Sequence, residues 1–166
     1  DDYSGSRFHH GAPFRRAAEE NLIDPRRVIQ IGIRGTTNDP DMWGFSERSG
    51  MRVVSMDEFA DLGWRAVAEE ARRVAADGPV YLTYDIDSLD PSQAPGTGTP
   101  EAGGIGVHDA LRLLRSLRDL NFVGGDLVEV APPFDVGTLT AFNGASILFE
   151  ILCLLAESFA ARHVTS

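Results

Sequence analysis

Two aspartates separated by one residue, Asp85 and Asp87, stand at the end of the apolar run Pro79-Val80-Tyr81-Leu82-Thr83-Tyr84. On a strand, side chains alternate faces, so both carboxylates would project to one side while Ile86 packs on the other. Two negative charges in one small volume repel. They are tolerated when a divalent cation lies between their oxygens, or when a carboxyl pKa rises well above its ordinary value. Two solvated acids ending a strand would have the same spacing, and structural charges perturb one another too. The next segment of chain favours function: Ser92-Gln93-Ala94-Pro95-Gly96-Thr97-Gly98-Thr99-Pro100-Glu101-Ala102-Gly103-Gly104 is rich in Gly, Pro and hydroxyl residues, and so reads as a long irregular loop. Long loops in compact domains are commonly functional. This one leaves from the C-terminal end of an expected parallel strand, where open α/β sheets bind their ligands.

Tyr84-Asp85-Ile86-Asp87-Ser88-Leu89-Asp90-Pro91, with Ala94-Pro95-Gly96-Thr97-Gly98-Thr99-Pro100 after it, resembles the second signature of the ureohydrolases, the arginase and agmatinase family of binuclear manganese enzymes. The resemblance runs along the chain through His10-Gly11-Ala12-Pro13-Phe14-Arg15-Arg16, Asp24-Pro25, Val28-Ile29-Gln30-Ile31-Gly32-Ile33-Arg34-Gly35 and Gly125-Asp126-Leu127-Val128-Glu129-Val130-Ala131-Pro132-Pro133-Phe134-Asp135. Its wording is nearest the agmatinase and guanidinobutyrase branch. The resemblance implies an α/β fold, a three-layer α/β/α arrangement around a mainly parallel sheet. It also implies hydrolysis of a linear guanidino compound with release of urea. Agmatine to putrescine, a step of polyamine metabolism, is the favoured case; 4-guanidinobutyrate, arginine or a related amidine are the alternatives. Two Mn2+ ions and a homo-oligomer, trimer or hexamer, belong to the same expectation.

A guanidinium carbon is a poor electrophile because its charge spreads over three nitrogens, so attack at neutral pH needs a strong nucleophile. A protein-held divalent ion provides one by lowering the pKa of bound water towards ~7, and oxygen-rich sites with some imidazole suit manganese. Asp85 and Asp87 are then metal ligands, and Asp87 orients the nucleophile and takes its proton. The amine leaves only if protonated. The resemblance gives that proton transfer to His10, whose imidazole titrates near the working pH; His9, His108 and His163 match nothing. A planar guanidinium calls for a bidentate carboxylate, and Glu129, before the Pro132-Pro133 turn, resembles the family's substrate-binding glutamate. Thr99 is a weaker candidate for contact with the guanidinium. Asp126, three residues before Glu129 and so on the opposite strand face, reads as a supporting hydrogen-bond partner, and Asp90 as a residue that fixes the turn before Pro91.

Members of the family are considerably longer, and ahead of the His-Gly block they carry an earlier His and an Asp-Ala-His-x-Asp cluster that supply most of the metal ligands. This chain opens on Asp1-Asp2-Tyr3 at about the point where that cluster would end. The expectation is therefore that residues 1–166 are the C-terminal part of a single ureohydrolase domain, truncated at the N-terminus. Asp1 and Asp2 could be imagined as substitute ligands, but a chain terminus is poorly suited to the task. Deleting early strands would bare sheet edges and apolar helix surface, so association or poor solubility is expected of the chain alone. That truncation also admits a reading from another class, a catalytically silent subunit that only associates with longer partners.

Composition agrees with a globular α/β piece. The 166 residues suffice for one sizeable core, and the 43% hydrophobic share is ordinary. With 25 acidic against 15 basic residues, the net charge of −10 disfavours nucleic acid or an anionic membrane as partner and mildly favours a small cationic guanidino substrate. One cysteine, Cys153, forms no internal disulfide, which suits the cytoplasm. Strands are expected over Val28–Ile33, Arg52–Met56, Val80–Asp87 and Asn121–Val130. Helices are expected from Pro13 to about Asn21, along Trp64, Val67, Ala71 and Val74 with Glu69 and Arg73 paired outside, over Val107–Leu120 with Arg112, Arg115 and Arg118 on a solvated face, and over Thr138–Ala161. The last is apolar around most of its girth and reads as a core or interface helix. Glu150 and Glu157 argue against a membrane span.

Overall fold

The computed structural model describes residues 5–36, 41 and 43–163. Along the chain the elements run α1 (Pro13–Glu19), β1 (Ile29–Ile33), α2 (Gly44–Ser49), β2 (Arg52–Ser55), α3 (Met56–Ala75), β3 (Val80–Asp85), α4 (Val107–Ser116), β4 (Phe122–Val128) and α5 (Leu139–His163). Strand and helix alternate as the apolar periodicity requires, and both strand pairings are parallel: β1 with β2 and β3 with β4. Among the described residues these are two separate pairs rather than one continuous sheet. Each pair is closed by a helical crossover, the connection that parallel neighbours need.

Two strands stop two residues earlier than expected, and both do so at the candidate chemistry. β3 ends at Asp85, because its carboxylate Oδ1 accepts the main-chain N–H of Asp87 at 3.0 Å and Ile86–Ser88 turns as a short 3-10 segment. β4 ends at Val128, because Glu129 takes a left-handed φ of 66°, outside the extended region. Asp87 is therefore not a strand residue. Strand alternation, expected to set it beside Asp85, does not govern its position.

The helices differ from expectation in their surface pairings. In α3, Ser55 caps the first turn by accepting the N–H of Glu58, and Gly63, at φ 74°, splits the helix into two. Its outer face carries Arg72–Glu69 and Arg73–Glu70 pairs in place of Glu69–Arg73. α4 ends at Ser116, short of Leu120. The three arginines expected on a solvated face instead tie helices together: Arg112 lies 4.5 Å from the centre of the Trp64 ring, while Arg115 and Arg118 pair with Glu150 and Glu157 of α5. As exposed pairs these contribute at most about 1 kcal/mol each.

α5 decides the core. By length and composition alone it is long and apolar enough to cross a membrane, an 18-residue stretch of it averaging a hydropathy of 1.8. Here one face packs along β4 and α4, burying Gly144, Ile147, Ile151 and Leu154. The approach is close: a Cβ on Gly125 of β4 would come within 2.8 Å of Ile151. Phe122, Ile86, Leu89, Ile147, Val54 and Val67 are fully buried in the same apolar cluster. Replacing Ile147 by Val should cost about 1 kcal/mol, read as a lower thermal midpoint. The other side of α5 leaves Phe142, Phe149, Leu152 and Phe159 exposed, and the strand face turned away from α5 leaves Tyr81 and Val128 open.

Candidate active site

The carboxylates sit where β3 and β4 end. Parallel register sets Thr83 beside Asp126 and Asp85 beside Val128, so Asp85 and Asp126 share one face of the pair. Asp126 is therefore on the side of the candidate metal ligand. Its Oδ2 accepts the Tyr81 hydroxyl at 2.8 Å, the supporting role expected of it, while its buried Oδ1 has no hydrogen-bond partner among the described residues. Asp85 is held from its own turn: the Asp87 N–H donates to its carboxylate, and the Ser88 hydroxyl donates to its carbonyl at 2.7 Å. That tight turn, with Ile86 anchored in the core behind it, brings Asp87 back beside Asp85.

Electrostatics report burial first and crowding second. Burial, then the negative charges of Asp87 and Glu129, push the Asp85 carboxyl up to about 7, against which the Asp87 N–H acts as the main counterweight. Glu129 is exposed, one residue past β4, and near enough for its charge to act on Asp85. Its strained backbone arises from position, since the chain must leave the strand there and return to pair Val130 with Thr97 in an antiparallel bridge.

The loop over the site is built by main-chain capture. Asp90 accepts N–H groups from Ser92 at 3.0 Å, which fixes its turn as expected, and from Gly103 at 3.0 Å and Gly104 at 3.3 Å, which ties down the far end of the loop as well. Any side chain at Gly104 would collide with the backbone of Leu89 and Asp90, its Cβ coming within 2.4 Å. Thr99 lies in this loop, and its hydroxyl donates to Asp87 Oδ2 at 3.1 Å. The hydroxyl expected to meet substrate thus also holds the Asp87 carboxylate.

Asp85, Asp87, Thr99 and Glu129 are therefore brought to one end of the β3–β4 pair. His10 is exposed in the turn before α1, its ring edge-on to that of His9 with centroids 6.0 Å apart. The contacts that gather the carboxylates run through β3, β4 and the loop between them rather than through this turn. Asp1 and Asp2 lie outside the described residues. Arg34, which the sequence offers only as part of a matching strand, binds the carbonyls of Asp87 and Leu89. A signal existed in the charged residue closing the apolar strand Ile29–Ile33, but which carbonyls it would meet is a tertiary fact.

The donor set of Asp85 and Asp87 is hard oxygen, which fits a divalent cation such as manganese. The fit is partial: among the described residues no group of three or more His, Cys, Asp and Glu side chains could hold a metal ion.

The raised Asp85 pKa has a consequence for the cation-free chain. The folded state holds a proton that the unfolded chain releases near pH 4, so this contribution is complete below that pH and is lost as pH rises towards about 7. Thermal melts in chelator should therefore show lower stability at pH 8 than at pH 5. Asp85→Asn should flatten that difference, gaining about 1 kcal/mol at pH 8 after allowance for a half-exposed site.

A sequence model of the arginase family matches residues 1–154. The guanidinopropionase of Pseudomonas aeruginosa is 55% identical over 161 residues, 96% of this chain and 51% of that protein. The mitochondrial agmatinase of Gallus gallus is 48% identical over 151 residues, 91% of this chain and 44% of that protein. Among solved structures, proclavaminate amidino hydrolase from Streptomyces clavuligerus superposes with a TM-score of 0.89 at 44% identity, over 94% of this chain and 52% of that one. The chain thus spans about half the length of the curated relatives it matches. With the α/β fold shared at that closeness and the family model matched along nearly all its length, the chain belongs to the arginase family.

Proposed function

We propose that the protein hydrolyses a linear guanidino compound, releasing urea and an amine. The observation that carries the reading is the convergence of Asp85, Asp87 and Glu129 at one end of the β3–β4 pair, where burial first and then the charges of the other two lift the Asp85 carboxyl to about 7. Three carboxylates in one place attract cations, and the reaction has two kinds to offer, metal and guanidinium. Asp85 and Asp87 would hold manganese, which when bound supplies a water ionised near neutral pH. Asp87 takes the proton that the attacking water gives up, and the Thr99 hydroxyl holds its Oδ2 in place. Glu129, exposed beyond the strand end, accepts the planar guanidinium in a two-point contact. His10 returns a proton to the departing amine, a role resting on the family resemblance. Motif wording favours agmatine; the higher identity to a guanidinopropionase puts 3-guanidinopropionate ahead of it.

The protein as encoded by its gene, loaded with Mn2+, should release urea from at least one of 3-guanidinopropionate, 4-guanidinobutyrate, agmatine and arginine. Absence of urea from the whole panel overturns the reading. It would favour a silent, associating subunit, which draws on the incomplete ligand set and the open apolar faces of α5 and β3–β4.

A further inference from the structure

Arg34 leaves the end of β1, in one strand pair, and reaches the turn after β3, in the other. Every hydrogen bond it makes among the described residues ends on a main-chain carbonyl. Nη2 donates to Asp87 O at 2.8 Å and Leu89 O at 3.3 Å, Nε donates to Glu101 O and Ala102 O at 3.2 Å each, Nη1 reaches Gly32 O at 3.5 Å, and Nη2 also meets Glu101 O. One guanidinium therefore binds both legs of the loop that carries Thr99, together with the peptide of Asp87.

Carbonyl oxygens facing one another at a loop mouth repel, and a permanent cation with five donors in a rigid fork is suited to gather them. Asp90 does the converse, collecting the N–H groups of Ser92, Gly103 and Gly104. The two side chains clamp the same loop by opposite halves of its backbone. Glu101 is two residues beyond Thr99, so the Thr99–Asp87 hydrogen bond is held from both ends: Asp87 through its own carbonyl, Thr99 through the leg that comes after it.

We infer that Arg34 is a positioning residue, setting the geometry of Asp87 and Thr99 through the backbone without touching substrate. The inference rests on the proposed guanidino hydrolysis for its kinetic consequence only. Small misplacements of a reacting group cost rate steeply. Lysine at this position would supply a point charge that reaches one leg of the loop but not both.

The test compares Arg34→Ala and Arg34→Lys with wild type, with Arg34→Gln in place of the alanine variant if that does not fold. Urea release should lose ten- to a hundredfold in kcat in Arg34→Ala with KM within twofold, and Arg34→Lys should recover part of the loss. Amide hydrogen exchange should quicken at least tenfold within residues 92–104, while the α5 core amides keep their wild-type rates. An unchanged kcat, unchanged loop exchange, or exchange that quickens equally across the chain would overturn the inference. If wild type releases no urea from any guanidino compound, the proposed function fails, and the exchange measurement alone then decides whether Arg34 holds the loop.

Discussion

Asp87→Asn is expected to lower urea release at least about a thousandfold, equivalent to about 4 kcal/mol of lost transition-state stabilisation. The substitution keeps size and hydrogen-bonding shape, so the Thr99 contact and the turn through Ile86 can persist. What disappears is negative charge and basicity. An amide grips a divalent cation more weakly than a carboxylate and cannot take a proton from the attacking water, so two functions fail together. The drop should appear in kcat at saturating guanidino substrate and should not be restored by raising pH. Thermal melting supplies the control, since removing one of three crowded charges should leave the cation-free fold at least as stable as wild type. Activity within tenfold of wild type would remove Asp87 from the chemistry.

Glu129 should respond with two effects of opposite sign. Its φ of 66° places a non-glycine residue in the left-handed region, a conformation that costs of order 1 kcal/mol for a residue with a Cβ and nothing comparable for glycine. Glu129→Gly should therefore stabilise the fold by about 1 kcal/mol, read as a higher thermal midpoint. The same change deletes the carboxylate assigned to the guanidinium, so KM for the best guanidino substrate should rise about a hundredfold, near 2.7 kcal/mol. Glu129→Gln separates the causes, because it keeps the strained backbone and loses only the charge. It should weaken substrate binding without gaining stability. A Glu129→Gly protein that is both less stable and equally active would show that the left-handed turn serves packing and not recognition.

Strain retained at an exposed acid is informative because it has an obvious remedy. Glycine is permitted at that backbone position by every steric criterion, and the neighbouring stretch already uses Gly124 and Gly125 where close packing against Tyr81 and Ile151 requires them. A side chain kept at position 129 against its backbone preference is better explained by what its carboxylate does than by the fold.

Residue order alone carries much of the fold and part of the site. Alternating apolar runs and amphipathic stretches determine four strands to within two residues and most of the helices, because burying an apolar stripe has a characteristic period of two or 3.6, whereas α2 and the first turns of α3 carry no such stripe to read. The Asp85–Asp87 spacing, the Gly- and Pro-rich loop and Glu129 before Pro132-Pro133 mark the chemistry, since few residue types can serve a cation in those places. The role of Asp90 in fixing its turn is legible for a local reason, since Ser92 is two residues on; its contacts with Gly103 and Gly104 depend on how the loop closes.

Other features are decided by backbone angles or by segments that meet only in the fold. That Asp87 leaves the strand and returns beside Asp85 through a hydrogen-bonded turn, that Thr99 serves Asp87, and that Arg34 reaches across from the other strand pair all depend on contacts between residues 12 to 68 positions apart, or on backbone angles that residue type alone does not dictate. The arginines of α4 likewise read as solvated until α5 brings Glu150 and Glu157 against them. Sequence period specifies which face an element buries; which charges then meet across the interface is set by how the elements pack, and at this site packing turns a pair of strand-end acids into a crowded carboxylate cluster.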